Sequence, residues 1–148
     1  MRWVFYQTLD EFSPAHLYDV MKLRQDVFII EQSCIYEDLD GIDEHSNHLL
    51  LLDEDQTLIG YLRIVPAGVK FKEYSLGRIV VKQMYRSEGY GERLVREGIS
   101  RVRQMGGNTI RIEAQAHLDK FYESLGFKTD SDIYSVDDIP HMQMILVA

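Results

Sequence analysis

The sequence predicts an α/β fold of the mixed α+β kind, in which a mixed sheet and about four helices form one domain over residues 1–148. Three observations predict it. The chain has 148 residues, of which 45% are apolar and 27% charged, a composition typical of one globular core. Short segments rich in β-branched and aromatic residues alternate with segments of helical periodicity. No repeat or low-complexity linker interrupts this order.

The first strand and the first helix are predicted from residue type. Residues 3–7 are mostly aromatic and β-branched, which favours a strand. Ser13 followed by Pro14 is typical of a helix N-cap and first helical position. Apolar side chains between residues 17 and 28 recur at near-helical spacing, so we expect a helix there that buries one face.

A long loop and a hairpin are predicted next. Residues 31–46 are polar, acidic and rich in turn formers, and ordered loops of this length are often functional. Residues 48–52 and 57–65 are two apolar runs separated by the acidic turn 53–56, which is the pattern of a β-hairpin.

The second half of the chain continues the alternation. Residues 74–81 form the next predicted strand, and apolar positions from Tyr90 to Met105 lie on one side of a helix that ends at two glycines. The remaining predicted elements are a strand at 109–114, a short helix at 117–125 capped by Gly126, and a closing strand pair at 127–134 and 142–147.

The formal charge of −8 is unevenly distributed. Residues 26–62 contain ten acidic side chains and no Lys or Arg, whereas residues 78–103 contain seven basic and three acidic ones, a local balance of 7 − 3 = +4. The acidic overall balance argues against a general nucleic-acid binder. The basic stretch suits an anion and the acidic stretch a cationic partner, although charge runs are also common on solvated faces.

Cysteine content and hydropathy restrict the location. The single cysteine, Cys34, excludes an internal disulfide. No apolar run approaches the ~18 residues that suggest a membrane span, so we expect no membrane association. Without an N-terminal hydrophobic leader, the sequence predicts a cytoplasmic protein.

The strongest chemical signal is the strand-to-helix run over residues 79–94. Gly89 and Gly91 lie where the helix is predicted to begin, and glycines let a backbone approach a ligand closely. The unpaired N–H groups of a first helical turn offer a phosphate site, to which Arg86 adds positive charge. The run has neither the Gly-Lys-Ser/Thr of a Walker loop nor the third glycine of Gly-x-Gly-x-x-Gly, which disfavours ATPases, kinases and dinucleotide enzymes.

The spacing Arg86-x-x-Gly89-x-Gly91 after a β-branched strand resembles motif A of the GNAT N-acetyltransferases. Residues 121–127, Phe-Tyr-Glu-Ser-Leu-Gly-Phe, are similar to motif B of that superfamily and follow in the right order. Further blocks resemble its ElaA-like group: Leu23 to Phe28, Glu31-Gln32, Cys34, Tyr36, Asp40-Gly41, Asp43, residues 114–118 and residues 139–141. The resemblance therefore covers nearly the whole chain.

This resemblance implies a GNAT-like twisted mixed sheet of six to seven strands, with central parallel strands that splay apart to admit the pantetheine arm of acetyl-CoA. It implies that backbone groups of Ile79 and Val81 bind the pantetheine amides. A backbone N–H near Val81 would then stabilise negative charge on the thioester oxygen. The predicted cofactor-binding set is Ile79, Val80, Val81, Arg86, Ser87, Glu88, Gly89, Tyr90, Gly91 and Tyr122.

Tyr122 matches the tyrosine that serves as general acid in many GNAT members, so the resemblance implies that it donates a proton to the departing CoA thiolate. The amine acceptor must also lose a proton, because a lysine-like amine has a pKa of ~10.4. The candidate bases are Glu31, Glu113, His117 and His141. Each of them fits a structural or substrate-orienting role equally well.

Covalent and metal-dependent routes are less well supported. No recognisable Cys-His-Asp order accompanies Cys34, which favours a packing role for it. The segment around His45 and His48 matches no standard zinc or calcium ligand spacing, so we expect no metal.

The resulting prediction is an N-acetyltransferase that moves the acetyl group of acetyl-CoA directly to a primary amine of a small acceptor, which is an amine, a polyamine or an amino-acid-like molecule. Two alternatives remain open. One is a non-catalytic acyl-CoA sensor, which would not need Tyr122, and the other is a protein or peptide lysine acetyltransferase. The acceptor and the oligomeric state are open, with a homodimer as one option.

Overall fold

The computed structural model describes residues 1–147. Within them lie eight strands and three α-helices, in the order β1 (Arg2–Tyr6), α1 (Pro14–Arg24), β2 (Asn47–Leu52), β3 (Leu58–Val65), β4 (Ser75–Val81), α2 (Tyr90–Gln104), β5 (Thr109–Gln115), α3 (Asp119–Ser124), β6 (Lys128–Thr129), β7 (Tyr134–Val136) and β8 (Ile139–Val147).

Two antiparallel sheets make up the architecture. The first has the order β1-β2-β3-β4, and the second has β8 between β5 and β6, with β7 also paired to β8. The sheets meet where Tyr74 forms a parallel bridge with Ile110 and its carbonyl accepts a hydrogen bond from the Arg111 N–H at 2.9 Å. Among the described residues, β4 and β5 form no ladder beyond this bridge, so they part and leave a slot. The predicted fold class and its splayed central strands are confirmed.

Within residues 1–147 the strands number eight, where six to seven were expected, because the predicted strand at 127–134 divides into β6 and β7. Asp137 and Asp138 both have positive φ, 50° and 63°, and form a tight turn between β7 and β8. Pro140 therefore lies inside β8, opposite Ser135. This position is beyond the end of β5, so one side of the strand is unpaired there and the missing N–H of proline is tolerated.

The core lies on both faces of the first sheet. Because successive side chains of a strand point to opposite faces, the buried strands β2 and β3 supply apolar residues to both. α2 covers one face and α1 the other. The α2 side contains Leu49, Leu51, Leu62, Ile64, Leu94, Val95, Ile99 and Val102, and the α1 side contains Val20, Leu23, Leu50, Leu52, Leu58 and Tyr61.

The first helix begins as predicted and ends differently. The Ser13 hydroxyl accepts a hydrogen bond from the His16 N–H at 3.2 Å, which confirms the N-cap. After Arg24 the helix continues as a π-helix over Gln25–Glu31. Its wider turns are shown by i→i−5 hydrogen bonds. The last of these runs from the Cys34 N–H to the Ile29 carbonyl at 3.0 Å. The π-helix carries the chain to the slot between β4 and β5.

Candidate active site

The slot between β4 and β5 opens into a cleft of about 160 Å³. The segment after the π-helix lies on one side and the β7–β8 turn on the other. These two sides approach each other where the Cys34 thiol lies 3.6 Å from the Asp137 carbonyl oxygen. The cleft therefore has walls on both sides. Its lining includes Ile79, Glu113, Tyr122 and His141 from the predicted site, together with Phe28, Gln32, Lys70, Gln115 and Leu118.

Tyr122, on α3, is one of the residues that line this cleft. Its ring packs edge-on against Phe121 and Phe127, with centroid separations of 5.1 and 5.8 Å, and the residue is 6% exposed. Burial alone raises the pKa of Tyr122 to about 12, since no described residue hydrogen bonds to the hydroxyl. The phenol is therefore protonated at neutral pH, and its O–H is available to a ligand.

His141 lies opposite Gln115 in the pairing of β8 with β5. Its Nδ1 is 2.7 Å from the Ile139 carbonyl oxygen. Because a carbonyl only accepts hydrogen bonds, Nδ1 must carry the proton, and in the neutral ring Nε2 is left with a free lone pair. His141 therefore has an available proton acceptor in a cleft-lining side chain.

Glu113 occupies the same cleft but has both carboxylate oxygens engaged. Oε2 accepts a hydrogen bond from the Tyr134 hydroxyl at 2.7 Å, and Oε1 lies 3.2 Å from the Lys70 ammonium. Burial on its own would raise the pKa of Glu113, but the Tyr134 hydrogen bond and the Lys70 charge bring it below the usual value. A carboxylate of lowered pKa is a poor proton acceptor, so the geometry suits an orienting role.

Glu31 and His117 lie outside the cleft lining. The Glu31 Oε2 pairs with the Arg86 NH1 at 2.7 Å, and the two side chains are 42% and 35% exposed. Arg86 also donates from Nε to the Val81 carbonyl at 3.2 Å. The structure therefore connects Glu31 to the predicted phosphate loop. His117 is exposed in the short 3₁₀ turn that precedes α3.

The phosphate loop leads from β4 to an open helix terminus. Gly89 is the N-cap of α2 with φ +82°, a left-handed conformation that glycine adopts without strain. No side chain caps the helix, and the Arg93 N–H is the first to find an intrahelical partner, the Gly89 carbonyl at 3.1 Å. The preceding N–H groups, of Tyr90, Gly91 and Glu92, therefore remain available to an anion.

The backbone of β4 faces the slot at Val81. Val80 is paired with Tyr61 of β3, and the Lys82 N–H donates to the Ile59 carbonyl at 2.8 Å. Because backbone groups alternate in direction along an antiparallel strand, the N–H and C=O of Val81 point away from β3 and into the slot. These are the backbone groups that the predicted pantetheine contacts require.

The acidic loop between α1 and β2 forms a buried ion network. The Arg24 guanidinium is fully buried and contacts Asp38 at 2.8 Å and Asp43 at 2.7 Å. Arg63, 1% exposed, contacts Asp40 at 2.7 Å and Asp43 at 3.0 Å. Despite burial, the guanidinium groups hold the pKa values of Asp40 and Asp43 below the usual range. The arginines remain charged throughout the accessible pH range.

This network occupies three of the ten acidic side chains in residues 26–62, so these three are not free to face a cationic partner. Asp38, Asp40 and Asp43 are neutralised by arginines from outside the stretch, and within residues 1–147 no cluster of three or more potential metal ligands is found. Sequence reasoning missed these arginines, although a signal was present. Arg63 lies in the apolar run 58–65, and an arginine in a buried strand requires a carboxylate partner.

No helix among the described residues is both long and apolar enough to cross a bilayer.

Comparison with known proteins gives consistent matches over nearly the whole chain. The model of the acetyltransferase (GNAT) domain family matches residues 10–148. The UPF0039 protein sll0451 of Synechocystis is 35% identical over 141 residues, which cover 95% of this chain and 92% of that protein. ElaA of Escherichia coli is 34% identical over 137 residues, covering 90% and 89%. Its crystal structure aligns with a TM-score of 0.87 and 31% identity over 98% of each chain. The crystal structure of an acyl-CoA N-acyltransferase from Pseudomonas aeruginosa aligns with a TM-score of 0.89 and 27% identity, over 99% of this chain and 100% of that one.

Proposed function

The chain belongs to the GNAT acetyltransferase family and to its ElaA-like group, and from this premise we propose that it transfers the acetyl group of acetyl-CoA directly to a primary amine of a small acceptor. Use of an acyl-CoA follows from family membership. The proposal therefore concerns the acetyl donor, the acceptor and the residues that serve them. One observation carries it. Tyr122 lines the small cleft beside β4, and β4 leads directly to the open N-terminus of α2, which together support the proposal.

In the proposed complex, the α2 N-terminus and the loop of residues 86–91 bind the pyrophosphate, and the pantetheine arm runs along β4. The arm pairs with the backbone of Val81, whose N–H and C=O face the slot. The N–H then lies where negative charge develops on the thioester oxygen. Arg86 must first leave the Val81 carbonyl, which it contacts at 3.2 Å.

Tyr122 is proposed to assist the leaving group. The amine nitrogen attacks the thioester carbonyl carbon, a C–N bond forms and the C–S bond breaks, so the electron pair of that bond stays on sulfur. A thiol has a pKa of about 8.5 in water, well below the value of about 12 for Tyr122. Proton transfer from the phenol is therefore uphill until the thiolate is desolvated, and we infer that Tyr122 acts first as a hydrogen-bond donor to the sulfur.

His141 is our proposed proton acceptor for the amine. Of the four candidate bases it alone combines a place in the cleft lining with a proton-accepting atom, Nε2, for which no hydrogen-bond partner is found among the described residues. Glu113 is occupied by Tyr134 and Lys70, and Glu31 is occupied by Arg86. The proton that leaves the amine would move to Nε2 directly or through one water.

The shape of the cleft favours a small acceptor over a protein lysine. A volume of about 160 Å³ suits a molecule of a few non-hydrogen atoms, and the approach of Cys34 to the Asp137 carbonyl oxygen, at 3.6 Å, narrows the cleft on that side. Both features support the small-amine proposal over the peptide alternative.

A panel experiment tests the proposal. Purified protein is mixed with acetyl-CoA and with separate amines, polyamines, amino acids and lysine peptides, and both CoA and acetylated product are measured by mass spectrometry. We expect product with at least one small amine and none with the peptides. Tight acetyl-CoA binding without turnover over the whole panel would instead indicate a sensor, and turnover limited to peptides would indicate a protein acetyltransferase.

Two variants then test the assigned roles with an active acceptor. Tyr122→Phe should lower kcat while leaving the Kd for acetyl-CoA within about twofold, since the phenol acts only on the departing sulfur. His141→Asn keeps a donor for the Ile139 carbonyl but loses Nε2, and it should lower kcat by about 100-fold or more. His117→Asn is the matched control, and it should retain wild-type kcat because His117 is exposed outside the cleft. Full activity in His141→Asn would remove the histidine from the base role.

A further inference from the structure

β4 contains a bulge where it borders the slot. Between the pairs Arg63–Gly77 and Tyr61–Val80, β4 has one residue more than β3. Arg78 lies at this point with a φ of +49°. A bulky residue other than glycine rarely adopts this left-handed conformation, and it persists only where surrounding contacts hold it.

Those contacts come from the acidic loop. The Arg78 NH2 donates to the Asp38 carbonyl at 3.1 Å and to the Asp40 Oδ2 at 3.2 Å. Its Nε lies 2.9 Å from the Asp38 Oδ1, an ion pair without hydrogen-bond alignment. The guanidinium also lies 5.7 Å from the centroid of the Tyr36 ring. Asp38 is itself anchored by the buried Arg24. These contacts with residues 36–40 form the Arg78 clamp.

The bulge decides which way the end of β4 faces. A one-residue change of register turns every later residue to the opposite side of a strand. With the bulge, Val81 pairs with Gly60 and directs its N–H and C=O into the slot. Without it, Val81 would lie opposite Ile59, and the same groups would turn toward β3.

We propose that Arg78 is a positioning residue for acyl transfer, because its clamp on the acidic loop holds the bulge that aims the Val81 backbone at the acyl-CoA thioester. The inference rests on the proposed placement of the pantetheine arm along β4. It gives the acidic loop a role in the chemistry without any contact between its carboxylates and the substrate.

Alanine and glycine at position 78 separate this role from ordinary packing. Both Arg78→Ala and Arg78→Gly lose the guanidinium, but glycine adopts φ > 0 without strain and alanine does not. Arg78→Ala should therefore lower kcat/KM for acetyl-CoA by about tenfold or more, as expected when an oxyanion donor is misdirected. Arg78→Gly should stay within about threefold of wild type. Arg96→Ala, which removes an exposed ion pair on α2, should leave turnover unchanged.

If Arg78 only packs, glycine should impair the protein as much as alanine or more, because it also loosens the strand. Equal kcat/KM in the two variants would overturn the inference. Thermal unfolding of each variant checks that it folds. If Arg78→Ala does not fold, the kcat/KM of Arg78→Gly is compared with that of wild type.

A second readout does not depend on turnover. Amide hydrogen exchange at Val81 should be fast in wild type and Arg78→Gly, whose N–H faces the slot, and slower in Arg78→Ala, where it turns toward β3. Equal exchange in the three proteins would also overturn the inference. Failure of wild type to bind acetyl-CoA, measured by calorimetry, would overturn the proposed function and leave the exchange test of the bulge intact.

Discussion

Replacing Glu31 by glutamine should tighten acetyl-CoA binding without slowing turnover. The Arg86 guanidinium is shared between Glu31 at 2.7 Å and the Val81 carbonyl at 3.2 Å. An incoming pyrophosphate has to take Arg86 from these partners. Glutamine removes the charge of the competing carboxylate while nearly keeping the size of the side chain.

The expected gain follows from the exposure of the pair. The two side chains are 42% and 35% exposed, and ion pairs this open to solvent contribute about 0.2–1 kcal/mol. Since 1.4 kcal/mol corresponds to a tenfold change in affinity, the Kd should fall by about 1.4- to 5-fold. The gain should shrink at high ionic strength because salt screens exposed charges.

Isothermal calorimetry on a double-mutant cycle measures this coupling. Arg86→Ala should weaken binding, and Glu31→Gln should give no gain in that background. Glu97→Gln is the matched control, since it breaks a comparable pair with Arg101 at 2.8 Å elsewhere on α2 and should not change the Kd. A gain in acetyl-CoA affinity that persists in the Arg86→Ala background would refute the idea that Glu31 and the pyrophosphate compete for Arg86. A fall in kcat by 100-fold or more would instead restore Glu31 as the general base.

Gly89→Ala should weaken acetyl-CoA binding and destabilise the fold by about 1–2 kcal/mol, because φ is +82° at this position. Gly91→Ala has room for its methyl group in the unliganded protein, so any loss of affinity there would come from contact with the ligand, and unchanged affinity in both variants would refute the phosphate-loop assignment. Acid should destabilise the protein through His48, whose pKa burial lowers to about 4 from 6.5. The unfolded state binds a proton below pH 6.5 and the folded state only near pH 4, so between pH 7.5 and 5 the free energy of unfolding should fall by about 2 kcal/mol. In urea unfolding, the free energy of unfolding of His48→Gln should not show this fall between pH 7.5 and 5. An equal pH dependence of this free energy in variant and wild type would contradict its assignment to His48.

Elements with a strong local pattern were predictable. The helix expected from Tyr90 to Met105 is observed over Tyr90–Gln104, and the strand expected at 57–65 is observed over Leu58–Val65. The helix has the apolar period of an element with one buried side, and the strand is a continuous apolar run that is buried on both faces. The π-helix could not be predicted in this way, because apolar spacing distinguishes poorly between a helix of 3.6 residues per turn and a wider one.

The candidate site was predictable to the extent that it depends on strand order. Glu113 and His141 line one cleft because β5 pairs with β8. Sequence motifs suggest that the two segments are neighbours, but they do not determine the register of the pairing. Glu31 was grouped with them, yet it lies beside Arg86, since its position depends on the π-helix that precedes it. The Arg78 clamp was beyond prediction because it joins residues about 40 positions apart.

Because β4 parts from β5, β4 has an edge without a neighbouring strand even though it lies in the middle of the molecule. A free edge can pair with any extended chain, including a second copy of the protein, and natural proteins normally cover such edges. Here the cofactor that we propose would serve as the missing strand. The unliganded protein should then be the aggregation-prone form, and acetyl-CoA at 100 times its Kd should add about 2.7 kcal/mol of stability by mass action. In the cell, the supply of acetyl-CoA would thus govern how much of the protein persists as well as how fast it works.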